Sequence, residues 1–412
     1  MAGNSITEKW QYNTLILTSY NGIEQRIKNL QNPRHFVTYD YPAMDCLQAQ
    51  WMRGVGRLKQ TTSFYVPMWH SPVYLSERFN GGKAFYVENS SLYGLLNCQY
   101  IEVFFEDDTG QSINRVGKLD YISEGIIGIK RNMDIVLPAT RAWIFPLKNC
   151  IAQPMQGLQY IYSNGSLVGI SFEDLLDVPT RPVLPTKILN EYEKYKNWNL
   201  WHLPERYNGK EMFLHTLSWV GDDGVQLSLT KNVNRLDTEL GMFYYDLKNT
   251  RSYDVHTYKF LLTCREEINN ITRFFKRVCG MWKSFWMPTW VNDIEAADDF
   301  TAGNSYFYAK WVGHADYYNT NGRVKNIIVF TKDYRCYIYQ ILNYMQSTVN
   351  LETYTKVTLT SSIEETIPLN NILMISFLNL VRLDSDELQI NYETDTCANV
   401  DLSFREVDDM EG

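Results

Sequence analysis

The feature that most constrains this 412-residue chain is an internal repeat. Ser63-Phe64-Tyr65-Val66-Pro67-Met68-Trp69 recurs 221 residues later as Ser284-Phe285-Trp286-Met287-Pro288-Thr289-Trp290, with four of seven positions identical. At the same spacing His35 falls on His256, and Val37, Tyr39 and Tyr41 fall on Tyr258, Phe260 and Leu262. The apolar positions keep one phase of a two-residue period, as a half-buried strand requires. A third match sets Leu158-Gln159 and residues 168–174 against Leu388-Gln389 and residues 400–406, at a spacing of 230 to 232. The second copy therefore carries about ten additional residues in its middle, and insertions of that size belong in surface loops. Three matches in one order imply a tandem duplication, and each copy must then bury a core of its own.

Each copy reads alike. An alternating strand leads into a stretch of helical spacing, residues 44–53 in the first copy and 266–278 in the second. In the second, Ile268, Ile271, Phe274, Phe275 and Val278 make one apolar face. Gly54 and Gly56, and Gly280, are read as C-caps closing these helices. The aromatic-Pro-Trp strand follows, and beyond it 101–106 and 324–330 are strand-like runs. The expected fold is mainly β: a β-sandwich or open barrel with one packed helix per domain. Three prolines in residues 178–185 disfavour both helix and central strand. The chain divides into a first domain at 1–177, a Pro-rich linker and connecting segment at 178–240, and a second domain at 241–412. The connecting segment carries Trp198, Trp201 and Trp219, with strands expected at 212–220 and 225–229.

Composition narrows the function classes. Charged residues are 21%, whereas Tyr (29) and Trp (11) are abundant, a balance suited to sheets and large contact surfaces. A net charge of −8 speaks against a dedicated nucleic-acid binder, since affinity for a phosphate backbone rests on Lys and Arg. The N-terminus has no signal-peptide pattern and no apolar run is long enough to span a bilayer, so synthesis in the cytoplasm is expected. Seven widely spaced cysteines without a CxxC pair are expected to be reduced and buried.

Trp10, Leu15-Ile16-Leu17-Thr18-Ser19, then Asn21-Gly22-Ile23-Glu24-Gln25-Arg26 and Pro33-Arg34 resemble the opening of a family of bacteriophage tail-tip proteins. That family carries a Trp, a short strand, a DGxEQR turn and a PR pair before an alternating strand. Asn21 stands where the family has Asp, and both residues suit that turn position. Arg273 to Gly280 followed by Phe285-Trp286 is similar to tail proteins of the distal-tail and baseplate-hub type. Residues 383–390 with 402–407 are similar to the family's closing hairpin. The second copy has no recognisable EQR turn. The resemblance implies a tail-tube-like domain, duplicated here, in a ring at the host-proximal end of the tail.

Candidate chemistry is sparse. The six histidines, His35, His70, His202, His215, His256 and His314, fall in neither HxxxH nor HExxH spacing. His35 and His256, at matched positions, are expected to share a hydrogen bond. Glu106-Asp107-Asp108 and Asp298-Asp299 lack EF-hand spacing and read as turns, and Gly81-Gly82-Lys83 reads as a hairpin turn. No catalytic residue, metal site or cofactor is expected. The residues singled out are Phe64, Pro67, Trp69, Phe285, Trp286, Pro288 and Trp290, as repeat-core or ring-interface positions, and the family-like turn Gly22, Glu24, Gln25 and Arg26.

The expected function is that of a non-enzymatic structural component of the tail tip. It would form a ring around the DNA channel and join the tube to hub, fibres or spike, with DNA only in transit. Three chains would present six similar domains, so a homotrimer is favoured over a homohexamer. A receptor- or glycan-binding module displayed on the tail is the alternative, and it would expose its aromatic rings on a free face.

Overall fold

The computed structural model describes residues 6–19, 23–43, 46–58, 60–87, 95, 98–106, 111–123, 125–138, 141–154, 158–160, 166–175, 206–214, 226–237, 239, 241, 243–318, 325–349 and 351–407. Within them the fold is mainly β, and its strand pairs are antiparallel. The 178–185 linker and Trp198, Trp201 and Trp219 lie outside the described residues.

In the first half Ile6–Gln11 and Arg34–Ala43 pair, the helix Cys46–Leu58 follows, and Phe64–Pro67 returns to the sheet. Strands Val73–Tyr74, Gly82–Tyr86, Tyr100–Glu106, Ser112–Ser123 and Ile126–Met133 then build a second lobe. Ala142–Ala152 runs through both lobes, and Leu158–Tyr160 with Ser166–Asp174 closes the half. Alternation sends every second side chain inward. Val37, Tyr39, Val66, Met68, Ile170 and Phe172 fill one core, and Phe79, Phe85, Ile101, Ile127, Leu137 and Ile144 help fill the other.

The second half repeats this programme strand by strand. Gln226–Asp237 pairs with the long strand Phe243–Leu262 as Ile6–Gln11 pairs with Arg34–Ala43. The helix Arg265–Val278 leads to Phe285–Pro288, which pairs with Ile372–Leu383 as Phe64–Pro67 pairs with Ala142–Ala152. Even the outer lobes agree. Phe79 bridges to Leu137 and packs with its ring centre 4.4 Å from that of Phe85, while Phe300 bridges to Ile367 and stacks 4.3 Å from Phe307.

Two of the sequence alignments are corrected by this pairing. Phe172 faces Val37 and Phe404 faces His256, so Val37, Tyr39 and Tyr41 correspond to His256, Tyr258 and Phe260. The spacing there is 219 rather than 221, and His35 does not correspond to His256. Likewise Leu158 pairs with Val168 and Ile390 with Val400, so Leu158-Gln159 matches Ile390-Asn391, not Leu388-Gln389. Both slips are of two residues. A period-2 pattern hides such a slip because the inward face is unchanged. The two tyrosines also reach the same strand end: the Tyr39 hydroxyl donates to the Pro67 carbonyl at 3.1 Å, and that of Tyr258 to the carbonyl of Thr289, one residue past the equivalent Pro288, at 3.5 Å.

Other expectations shift too. The first helix runs to Leu58, so Gly54 and Gly56 lie inside it instead of capping it. The second ends as expected, but Cys279 takes the left-handed position (φ 57°) and Gly280 (φ 65°) follows it. A Cβ on Gly280 would collide with Asp386, so the close approach of that loop demands glycine. The second half has an additional short helix, His314–Tyr318, whose buried His314 packs among Trp311, Tyr318 and Tyr344. The connecting segment is partly structural. Gln226–Asp237 is the counterpart of the chain's opening strand, so the second repeat reaches back to 226. Most of the additional residues of the second copy lengthen the hairpin Cys336–Val349 and Glu352–Leu359, whose tip exposes Leu351.

Candidate functional site at the seam between the halves

Ile6–Gln11 hydrogen-bonds along both edges, to Arg34–Ala43 of its own half and to Glu387–Tyr392 of the other. Its outward residues make surface contacts, such as Lys9 with Glu387 at 2.8 Å. Its inward residues, Glu8 and Trp10, are buried in the seam.

The Glu8 carboxylate accepts hydrogen bonds from His35 Nε2 at 2.9 Å and from the Tyr392 hydroxyl at 2.7 Å. On its other side the His35 ring reaches Asp174 at 3.2 Å through Nδ1, and the Lys148 ammonium lies 3.1 Å from the same carboxylate. Trp10 stacks on His35 with centroids 3.9 Å apart, and the Lys276 ammonium lies 3.5 Å from the Trp10 ring centre. Arg265, opening the second helix, donates to the His70 carbonyl at 2.8 Å and to Ser71 Oγ at 2.6 Å. All of these residues except Asp174 line a cavity of about 100 Å³ between the halves.

Burial sets the protonation states, and neighbours modify them. Burial works against the Glu8 carboxylate, but the hydrogen bonds from His35 and Tyr392 outweigh that and hold its pKa well below the ordinary value. Asp174 likewise is held down to about 2 against burial by hydrogen bonds and charge from His35 and Lys148. Burial pushes His70 down to about 3, against the pull of Glu8, so its ring is neutral. Burial also brings Lys276 down to about 8. The seam is thus a buried polar network beneath the strand that joins the two halves into one sheet. No metal-binding cluster is present among the described residues.

The residues singled out from the sequence lie elsewhere. Phe285 and Pro288 are buried in the second half, and Phe64, Pro67, Trp69, Trp286 and Trp290 are half-buried. Phe64 packs edge-on against Phe172, Trp69 against Phe145, and Trp290 stacks on Phe330. Trp286 donates from Nε1 to the Tyr207 carbonyl at 2.9 Å. These rings pack within their own half. The family-like turn is a clamp: Glu24 takes two hydrogen bonds, at 2.7 and 2.8 Å, from the buried Arg382 of the second half. Arg26 is nearly buried beside it, Gln25 is exposed, and Gly22 lies outside the described residues.

His35 enters a buried network with Glu8 and Asp174, whereas the His256 ring stacks on Tyr258. Cys98, Cys150 and Cys279 are buried, but Cys264 is exposed and Cys336 and Cys397 are half-buried. Asp299 accepts from the Leu369 amide, and Asp107 and Asp108 lie outside the described residues. Sequence reasoning missed Glu8, His70, Lys148, Asp174, Arg265, Lys276 and Tyr392 as a group. The one local signal was Glu8 and Trp10 on the same face of a strand.

No family model and no curated protein matches this chain. Among solved structures, a mutant of Bacillus subtilis oxalate decarboxylase is 7% identical, with a TM-score of 0.10 over 98% of this chain and 78% of that one. A Lactobacillus farciminis oxalate decarboxylase formate complex is 8% identical, with a TM-score of 0.09 over 97% and 86%. At these TM-scores neither likeness carries a structural argument. No helix among the described residues is long and apolar enough to cross a membrane.

Proposed function

We propose that this chain is a structural, non-enzymatic component of a bacteriophage tail tip, a virion protein that forms a ring around the DNA channel. In this reading it joins the tail tube to hub, fibres or spike. The observation that carries the reading is the side-by-side union of two matching β units through one shared strand, Ile6–Gln11. A unit that adds its neighbour by backbone hydrogen bonds repeats a single rotation, and a repeated rotation that closes makes a ring. The resemblance of residues 10–34 to tail-tip openings gives that ring a place. Glu24 of the resembling turn bonds across the seam to Arg382, so in this reading the turn helps join adjacent units. Trp69 and Trp290 pack internally, which disfavours their use as a sugar-stacking face. Three chains then supply six units and fit a sixfold tube to threefold fibres or spike.

An antibody raised against the chain should decorate the distal end of the tail on intact virions of the phage that encodes it. Absence of the chain from purified virions would overturn the assignment.

A further inference from the structure

The seam between the halves has a counterpart at the two ends of the chain. Ile6–Gln11 corresponds to the start of Gln226–Asp237 at a spacing of 219, because Glu8 faces Val37 and Leu227 faces His256. The correspondence continues through the following hairpin, where Thr14 pairs with Lys28 and Val233 with Leu247. At the other side of the seam, Glu387–Tyr392 corresponds to Leu158–Tyr160 at a spacing of 232. Within the chain, the first member of one pair meets the second member of the other: Ile6–Gln11 bonds to Glu387–Tyr392. The remaining two, Gln226–Asp237 and Leu158–Tyr160, each pair on one edge only among the described residues.

We infer that the Gln226–Asp237 edge of one copy of this chain adds to the Leu158–Tyr160 edge of the next, repeating the internal seam between chains. The inference rests on the ring reading and names its interface. An edge strand presents a row of unpaired N–H and C=O groups, which a matching strand satisfies. The occupant is a second copy because the chain already contains the junction, with its register. Thr7 faces Asn391 and Glu8 faces Ile390, so Gln226 should face Gln159 and Leu227 should face Leu158. The second hairpin agrees with this use. Tyr244 and Tyr245, at the positions of Gln25 and Arg26, are exposed, whereas Arg26 is nearly buried where the first hairpin meets the second half.

The predicted register is tested by disulfide cross-linking of the full-length protein. Directly opposed residues of an antiparallel pair have Cβ atoms about 4.5–5.5 Å apart, near enough for a bridge after slight adjustment. Thr7→Cys with Asn391→Cys, in one chain, calibrates the chemistry at the internal seam. Gln159→Cys and Gln226→Cys, in separate chains mixed and oxidised, should give a covalent dimer at twice the chain mass. Gln159→Cys with Leu227→Cys, on opposite faces, should give far less, as should wild type. Bridging in the internal pair without bridging between Gln159→Cys and Gln226→Cys would overturn the interface. If a ring still forms, the ring reading survives with another interface. If the bridge forms but virions lack the chain, the interface stands and the tail assignment falls.

Discussion

His70 offers a sharp test of the seam. An imidazole in an unfolded chain titrates near 6.5, whereas that of His70 is pushed down to about 3 by burial, with Arg265, His35 and Lys148 adding to the effect and Glu8 opposing it. Because the folded pKa is the lower one, the unfolded chain binds the proton first. Stability from this group is complete above pH 6.5 and is lost as pH falls toward 3. At pH 5 the unfolded imidazole is almost fully charged and the folded one is neutral, a loss of about 2 kcal/mol relative to pH 7. His70→Asn keeps a polar atom near the position of Nδ1, which lies 3.4 Å from the Tyr39 hydroxyl, and removes the titration. Equilibrium urea unfolding of both proteins at pH 7 and pH 5 isolates the effect. His314, which burial pushes down to about 4, contributes equally to each and cancels. The loss between the two pH values should be smaller in the variant by about 2 kcal/mol. An identical loss in both proteins would refute the argument that His70 is held neutral in the seam.

Trp69→Ala and Trp290→Ala should each destabilise by roughly 3 kcal/mol, the lower end for a large aromatic truncation because both rings are half-buried. Near-wild-type melting would show that their packing contributes little. Glu24→Ala leaves the Arg382 guanidinium buried with one of its carboxylate partners removed, and should cost about 3–5 kcal/mol in urea unfolding. A change below about 1 kcal/mol would mean that the clamp is not holding the halves. A gel-shift assay should detect no tight DNA binding at physiological salt, because a channel lining that gripped phosphate would retain the genome. A salt-dependent shift at low protein concentration would contradict a channel of that kind.

The β class and the helix expected at 266–278 were legible because each rests on periodicity within a short window, and the repeat was legible because Ser63 to Trp69 recur as Ser284 to Trp290. The exact superposition was not, since a slip of two residues leaves every inward side chain inward. His35 was thus paired with His256 when the strand pairing sets His256 on Val37. The seam was illegible for a different reason. Glu8 and Tyr392 are 384 residues apart, and a buried ionic network has no sequence period by which distant members can be matched. Gly54 and Gly56 misled because glycine is most common just past a helix end, yet a helix tolerates it inside at a cost of about 1 kcal/mol. The family-like turn was read as a marker of kinship, and its physical task, pairing Glu24 with Arg382, emerged only from the packing of one half on the other.

The number of chains in the ring bears on the whole account at once. Native mass measurement of the assembled protein, with class averages viewed down its axis, should give three times the 48.3 kDa chain mass and six similar density lobes. Six chains with twelve lobes would contradict the pseudo-sixfold arrangement, and a stable monomer under assembly conditions would contradict the ring itself.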